Sequence, residues 1–124
     1  MIKIAIDGPS GAGKSTLSKR IARELGFIYI DTGAMYRAAG LHCIRKDIKI
    51  KEDSYKAADE VEKITIDIAH SQDGGQKVFL NGEDVTDKIR TPEVSIAASD
   101  VSAIKRVRLR LVEIQRELAR NNNV

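Results

Sequence analysis

Gly8-Pro9-Ser10-Gly11-Ala12-Gly13-Lys14-Ser15 has the spacing G-x-x-x-x-G-K-[ST] of a phosphate-binding loop. An apolar run, Ile2 to Ile6, leads into it. A helical pattern leads out of it, with Leu17, Ile21 and Leu25 recurring every fourth residue beside Ala22 and Gly26 as the stop. The residue types suit the chemistry. Backbone N–H groups can wrap a dense anion only where side chains do not intrude, which Gly8, Gly11 and Gly13 ensure. The helix start adds free N–H groups and a positive dipole end. Lys14 can reach the β- and γ-phosphates, and the Ser15 hydroxyl can ligate Mg²⁺. The plainer alternative, a glycine-rich turn, leaves the agreement of strand, loop and helix unexplained.

Working outward, Phe27 to Ile30 reads as a second short strand, and Ala34 to about Lys46 as a second helix. A continuous apolar strand followed by a crossover helix indicates a parallel sheet buried on both faces. The middle of the chain changes character. Lys51 to Lys63 is charged with a helical pattern. Ile64, Ile66 and Ile68 then alternate with Thr65, Asp67 and Ala69, the period of a half-buried strand. Asp73-Gly74-Gly75 is a turn, Lys77 to Leu80 a strand, and Asn81-Gly82 a type I′ hairpin signal before a third strand at Glu83 to Thr86. This small antiparallel meander reads as an insertion into the parallel core.

The last third is helical. Thr91 is an N-cap with Pro92 at N1 and Glu93 in the first turn. A break is expected near Ser99-Asp100. Ile104, Val107, Leu111, Ile114 and Leu118 then form one apolar stripe on a long helix ended by Asn121-Asn122-Asn123. The domain reading is therefore 1–47 for the core, 48–90 for the inserted lobe and 91–124 for helices returning to the core.

Composition bounds the rest. The chain has 124 residues, 42% of them apolar, which suffices for one modest domain with an aliphatic core. Net charge is +3, from 21 basic and 18 acidic residues. Part of the excess lies in Lys105, Arg106, Arg108, Arg110, Arg116 and Arg120. No aromatics interleave with them to stack bases, so the run reads as a solvated helix face, with no nucleic-acid partner. The single Cys43 reads as a core residue and fits a reducing cytoplasm. His42 and His70 lack metal-ligand spacing and read as structural or surface residues. No stretch approaches transmembrane length, and no membrane partner is expected.

A second constellation follows the second strand: Asp31-Thr32-Gly33-Ala34-Met35-Tyr36-Arg37. In a parallel sheet, ligands sit beyond the carboxyl ends of the strands, so this segment and the loop at 8–15 should face one cleft. Arg37 can hold a phosphate by a bidentate fork; a surface ion pair is the alternative. Tyr36 offers a ring to a base or a hydroxyl to a polar atom; helix packing is the alternative.

T-G-x-x-x-R after a second strand resembles the acceptor segment of nucleoside monophosphate kinases. The fuller strings I-D-G-P-S-G-A-G-K-S and D-T-G-A-M-Y-R resemble the bacterial cytidylate kinases. So do N-G-E-D-V-T beside I-R-T-P-E-V, and A-A-S-D-V-S followed by R-V-R. The resemblance covers the whole chain. It implies an α/β fold with a phosphate-binding-loop core and an enlarged monophosphate-binding lobe. It implies phosphoryl transfer from ATP, with Mg²⁺, to CMP or dCMP. Gly8, Pro9, Ser10, Gly11, Ala12, Gly13, Lys14, Ser15 and Thr16 would hold the ATP phosphates. Asp31, Thr32, Tyr36 and Arg37 would contact the acceptor. Ser99 would touch the cytosine, and Arg108 would grip the acceptor phosphate. The alternatives are a helix break or cap for Ser99 and one more solvated charge for Arg108.

The family pattern continues into a D-G-R-D strand and a lid bearing arginines, which these residues lack. The resemblance thus implies an incomplete parallel sheet. It is completed either by a partner segment or by the rest of a longer protein, monomeric when full length. Residues 1–124 alone are expected to be marginal as a fold and to bind ATP weakly while transferring phosphate poorly. An adenylate- or shikimate-type kinase stays open beside the cytidylate reading. A GTPase-type switch is disfavoured because no N-K-x-D motif occurs.

Overall fold

A computed structural model describes residues 30–70 and 76–121. The first helix, α1, spans Thr32–Arg45 and opens on Asp31, whose Oδ1 accepts the Ala34 N–H at 3.2 Å. That carboxylate satisfies one of the donors every helix start leaves free. The cap draws Thr32 and Gly33 into the helix, so it starts earlier than the expected Ala34. Tyr36 and Arg37 consequently stand in its second turn. Ile30, expected at the end of a strand, is already irregular as it approaches this cap. The rest of the expected parallel core, namely strand 2–6, loop 8–16, helix 14–25, the Gly26 stop and 27–29, lies outside the described residues, as does the turn at 73–75.

The next helix, α2, is Ser54–Val61 and is shorter than the charged pattern suggests. Asp53 caps it by accepting the Lys56 N–H at 3.1 Å, and Glu62 and Lys63 have left it for a turn. Ile66–His70 forms β1, Gln76–Leu80 forms β2 and Glu83–Asp84 forms β3 of a three-stranded antiparallel sheet in that order. The β1–β2 register sets Ile66 opposite Leu80 and Ile68 opposite Val78, which puts all four on one buried face. Asn81 and Gly82 both have positive φ, 51° and 83°, as the expected hairpin turn requires. The Asn81 side chain also accepts the Thr65 N–H at 2.9 Å while its own N–H donates to the Thr65 carbonyl. The third strand stops before its expected end at Thr86. There the Thr86 hydroxyl accepts the Val78 N–H at 3.0 Å and donates to Asp84 at 2.6 Å, so a side chain replaces the ladder.

A 3-10 turn at Lys88–Arg90 leads to α3, Pro92–Ser102, capped by Thr91 as the sequence indicates. The break expected at Ser99-Asp100 falls later, at Ala103 and Ile104. Helix α4 is Lys105–Asn121, and Val107, Leu111 and Ile114 of its stripe are buried, with Ile104 and Leu118 packed beside them.

The described residues share one aliphatic core, with Met35, Val61, Ile64, Val85, Val101, Val107 and Leu111 fully inside. Helices α1 and α3 approach each other closely within it. A β-carbon added to Gly40 would lie 2.9 Å from the Ala98 amide nitrogen and 3.0 Å from the carbonyl carbon and Cβ of Ala97. With Ala38, Ala39 and Ala97 also buried, small residues bring the two backbones together. Elsewhere charge does the joining. Arg45 grips Glu83 with both guanidinium nitrogens, at 2.8 and 3.0 Å, and Lys88 adds a third bond to the same carboxylate at 2.6 Å. This fork ties the end of α1 to the meander.

Candidate functional site

The start of α1 supplies the first half of the site. Thr32 is exposed, while Asp31 and Arg37 are partly covered. Gly33 lies between the last two: a β-carbon there would stand 3.2 Å from Asp31 Oδ1 and 3.6 Å from Arg37 Nη1. Asp31 and the Arg37 guanidinium therefore border the same small space above the helix start. Gly33 keeps that space open.

Helices α3 and α4 supply the second half. Ser102 Oγ donates to the Ser99 carbonyl at 2.7 Å. Arg108 Nη1 donates to the Ser102 carbonyl at 3.0 Å. The two residues nominated from the sequence, Ser99 and Arg108, are thus linked through Ser102, which sequence reasoning did not single out. The signal was present in the second serine of A-A-S-D-V-S, but its role depends on where α3 ends. Beside Ser99, Asp100 faces Lys51 at 3.7 Å and so joins the segment after α1 to the end of α3.

The two halves come within electrostatic reach of each other at Tyr36. Its ring packs against the core, and burial pushes the hydroxyl above its ordinary range, opposed by the positive charge of Arg108. Both expected roles of Tyr36, packing and a polar tip toward a ligand, are therefore compatible. Tyr36 and Arg37 stand side by side in the second turn of α1, and the exposed Arg108 is near enough for its charge to act on Tyr36. Such a set can receive a phosphorylated ligand, because arginine keeps its charge and offers fixed paired donors.

The basic run on α4 is only partly the solvated face that its composition suggests. Arg106 reaches α2 and the turn that ends it, where Nη2 meets Asp59 at 2.7 Å and Glu62 at 2.6 Å, and Nε meets Glu62 at 3.2 Å. Its guanidinium also lies over the Tyr55 ring, 5.0 Å from the centroid. Arg110 donates to the Ile64 carbonyl at 3.0 Å. Arg108 is exposed and turns to the other flank, where it holds the Ser102 carbonyl. His42, expected to be a structural or surface residue, joins α1 to α2 through Glu60 at 3.2 Å. Glu60 is held below the ordinary carboxyl range by Lys63 first and His42 second. The expectation for the His70 side chain lies outside the described residues. Cys43 is buried, as expected. Among the described residues no cluster of His, Cys, Asp and Glu could hold a metal ion, and no helix is long and apolar enough to cross a membrane. The nominated donor residues, Gly8 to Thr16 with Lys14 and Ser15, lie outside the described residues.

A mixed helix-and-sheet arrangement behind a phosphate-binding-loop sequence fits a nucleotide-kinase type of chain. Comparison with known proteins makes the class specific. Residues 4–124 match the family model described as cytidylate kinase, and the chain belongs to that family. It is 56% identical over 123 residues to the cytidylate kinase of Caldicellulosiruptor bescii, covering 99% of this chain and 54% of that protein. It is 50% identical over 125 residues to that of Lactobacillus gasseri, with 100% and 53% covered. For Symbiobacterium thermophilum the values are 49% over 121 residues, with 98% and 53% covered. The chain spans about half the length of these curated relatives.

Proposed function

We propose that this chain carries the donor loop and most of the acceptor site of an ATP-dependent kinase that phosphorylates CMP or dCMP. The observation that carries the reading is the opening of α1, where Asp31 and Arg37 border the space above Gly33 and the Arg108 charge reaches Tyr36, in a chain of the cytidylate kinase family. In this reading Arg37 and Arg108 hold the acceptor phosphate from two helices. Asp31 shapes the helix start through its cap and borders the space where the acceptor enters, with Thr32 at its rim. Ser99, held at the end of α3, meets the base. The loop from Gly8 to Thr16 cradles the ATP phosphates, Lys14 supplies charge at the transferring group, and the Ser15 hydroxyl is the candidate Mg²⁺ ligand.

The chemistry asks little covalent work of the protein. The attacking atom is a phosphate oxygen, already anionic near neutral pH, so no general base is assigned. Positioning and neutralisation of charge supply the catalysis. Residues 48–90 form the monophosphate lobe on a core of 1–47, and 91–124 return to that core. The working protein is cytoplasmic and monomeric and engages neither nucleic acid nor membrane.

An acceptor panel of CMP, dCMP, UMP, AMP and shikimate, with ADP release as the readout, tests the assignment in the protein expressed from its complete gene. CMP and dCMP are expected to be preferred. Preference for AMP or shikimate overturns the reading. Arg37→Ala is expected to raise KM for CMP while leaving KM for ATP near its starting value, and equal loss of both contradicts the division of roles. Lys14→Ala is expected to abolish ATP-dependent turnover.

A further inference from the structure

The two arginines of the acceptor site stand on helices that are joined mainly through others. Helix α1, with Tyr36 and Arg37, packs extensively on α3 and also on α2, and α4, with Arg108, packs on α2 and α3. The placement of Arg108 relative to Arg37 is therefore set along two routes. One is the small-residue crossing of α1 on α3 followed by the Arg108–Ser102 bond. The other runs through α2. Glu60 takes His42 of α1 on one side, and Asp59 and Glu62 take Arg106 of α4 on the other.

Helix geometry makes the second route bear on Arg108. At about 100° per residue, Arg106 and Arg110 lie on one flank of the buried stripe of Val107, Leu111 and Ile114, and Arg108 lies on the opposite flank. Bonds at 2.7, 2.6 and 3.2 Å to two carboxylates, with the Tyr55 ring behind, fix the first flank on α2. Arg110 adds its bond to the Ile64 carbonyl. A rotation of α4 about its axis that released these bonds would also move Arg108 off the Ser102 carbonyl that anchors it beside the end of α3. The apolar stripe alone resists such a roll weakly, because aliphatic contacts have little directional preference.

We infer that Arg106, through Asp59 and Glu62, is a positioning residue that sets the roll of α4 and thereby the reach of Arg108 toward the acceptor phosphate. The inference rests on the acceptor-site reading above. Arg106 touches no substrate in this account and acts through Arg108.

Steady-state kinetics on the protein from its complete gene test it, with CMP and ATP varied separately and thermal midpoints measured alongside. Arg106→Ala is expected to raise KM for CMP roughly tenfold with KM for ATP unchanged, as loss of one well-placed anchor does. Asp59→Asn with Glu62→Gln should reproduce that change from the α2 side. Adding it to Arg106→Ala should add little more, because all three residues serve one clamp. Arg106→Lys keeps the charge without the fork and should recover part of the loss. If Arg106→Ala lowers the thermal midpoint while KM for CMP stays within about twofold, the residue is only structural and the inference fails. It fails equally if the KM values for CMP and ATP rise together, or if the α2 substitutions leave KM for CMP unchanged. Failure of the underlying reading looks different: the unsubstituted protein then shows no preference for pyrimidine monophosphates, and both proposals fall.

Discussion

Two helix contacts in this molecule solve the same problem with opposite chemistry. Where α1 crosses α3, Gly40 meets Ala97 and Ala98 with no space for a methyl group. Where α4 meets α2, Arg106 forks between Asp59 and Glu62 across a contact open to solvent, its side chain 38% exposed. The first contact is specified by shape and is indifferent to salt. The second is specified by charge direction, is partly screened by water and can be set or released at low energetic cost. A site assembled from both has one rigid wall and one adjustable wall.

The largest expected effect probes the apolar stripe of α4. Leu111→Ala removes a fully buried side chain from α4 and is expected to cost about 3 kcal/mol of unfolding free energy, measured by urea titration. A cost well under about 1 kcal/mol would mean that the stripe collapses around the gap and that charge carries more of the contact than stated. Next comes Gly40→Ala. Helix propensity alone favours alanine by about 1 kcal/mol, whereas overpacking against the Ala98 backbone costs about 1–3 kcal/mol. Net destabilisation is expected, unchanged between low salt and ~1 M NaCl. Stabilisation would show that the crossing has slack.

Arg106→Ala should lower the thermal midpoint only slightly, and that loss should shrink as salt rises toward ~1 M, where the screening length falls to about 3 Å. A salt-independent loss would move this contact into the same class as the Gly40 crossing. The smallest effect concerns the other charged tie. Glu83 is held down to about 2, from an ordinary value of 4.5, by hydrogen bonds from Arg45 and then Lys88. A depressed carboxyl stabilises the fold above its unfolded value, and that contribution is lost as pH falls from about 4.5 to about 2. Glu83→Gln should therefore flatten this part of the acid limb, lowering stability slightly at neutral pH without changing the slope from neutral to alkaline pH. An unaltered limb would show that the fork persists no better in the folded state than in the unfolded chain.

What the sequence disclosed follows the range of the interactions. The Thr91-Pro92 helix start, the Asn81-Gly82 turn, the alternation at Ile64, Ile66 and Ile68 and the stripe on α4 are local patterns, and the structure carries each of them. Boundaries moved wherever a side chain competed for the backbone, as Asp31 does at the start of α1 and Thr86 at the end of β3. In the candidate site, Tyr36, Arg37 and Arg108 were legible by resemblance; the structure sets the first two on one helix and brings the charge of the third to bear on Tyr36. Arg106 was not, because its partners lie 44 and 47 positions away and nothing in the spacing of R-V-R says which arginine faces in. The Gly40 crossing was hidden for the same reason: glycine in a helix pattern reads as a weak point until its neighbour is known.

Cys43 gives the molecule a built-in clock. It is the chain's single thiol, it is fully enclosed, and burial followed by the charge of Glu60 pushes it up to about 11. The thiolate is the reactive form, so the closed protein should be inert to a thiol reagent at neutral pH. Each labelling event then records one opening of the space between α1 and its neighbours. The labelling rate against reagent concentration would measure how often the wall that carries Tyr36 and Arg37 comes loose, without any probe being added to the protein.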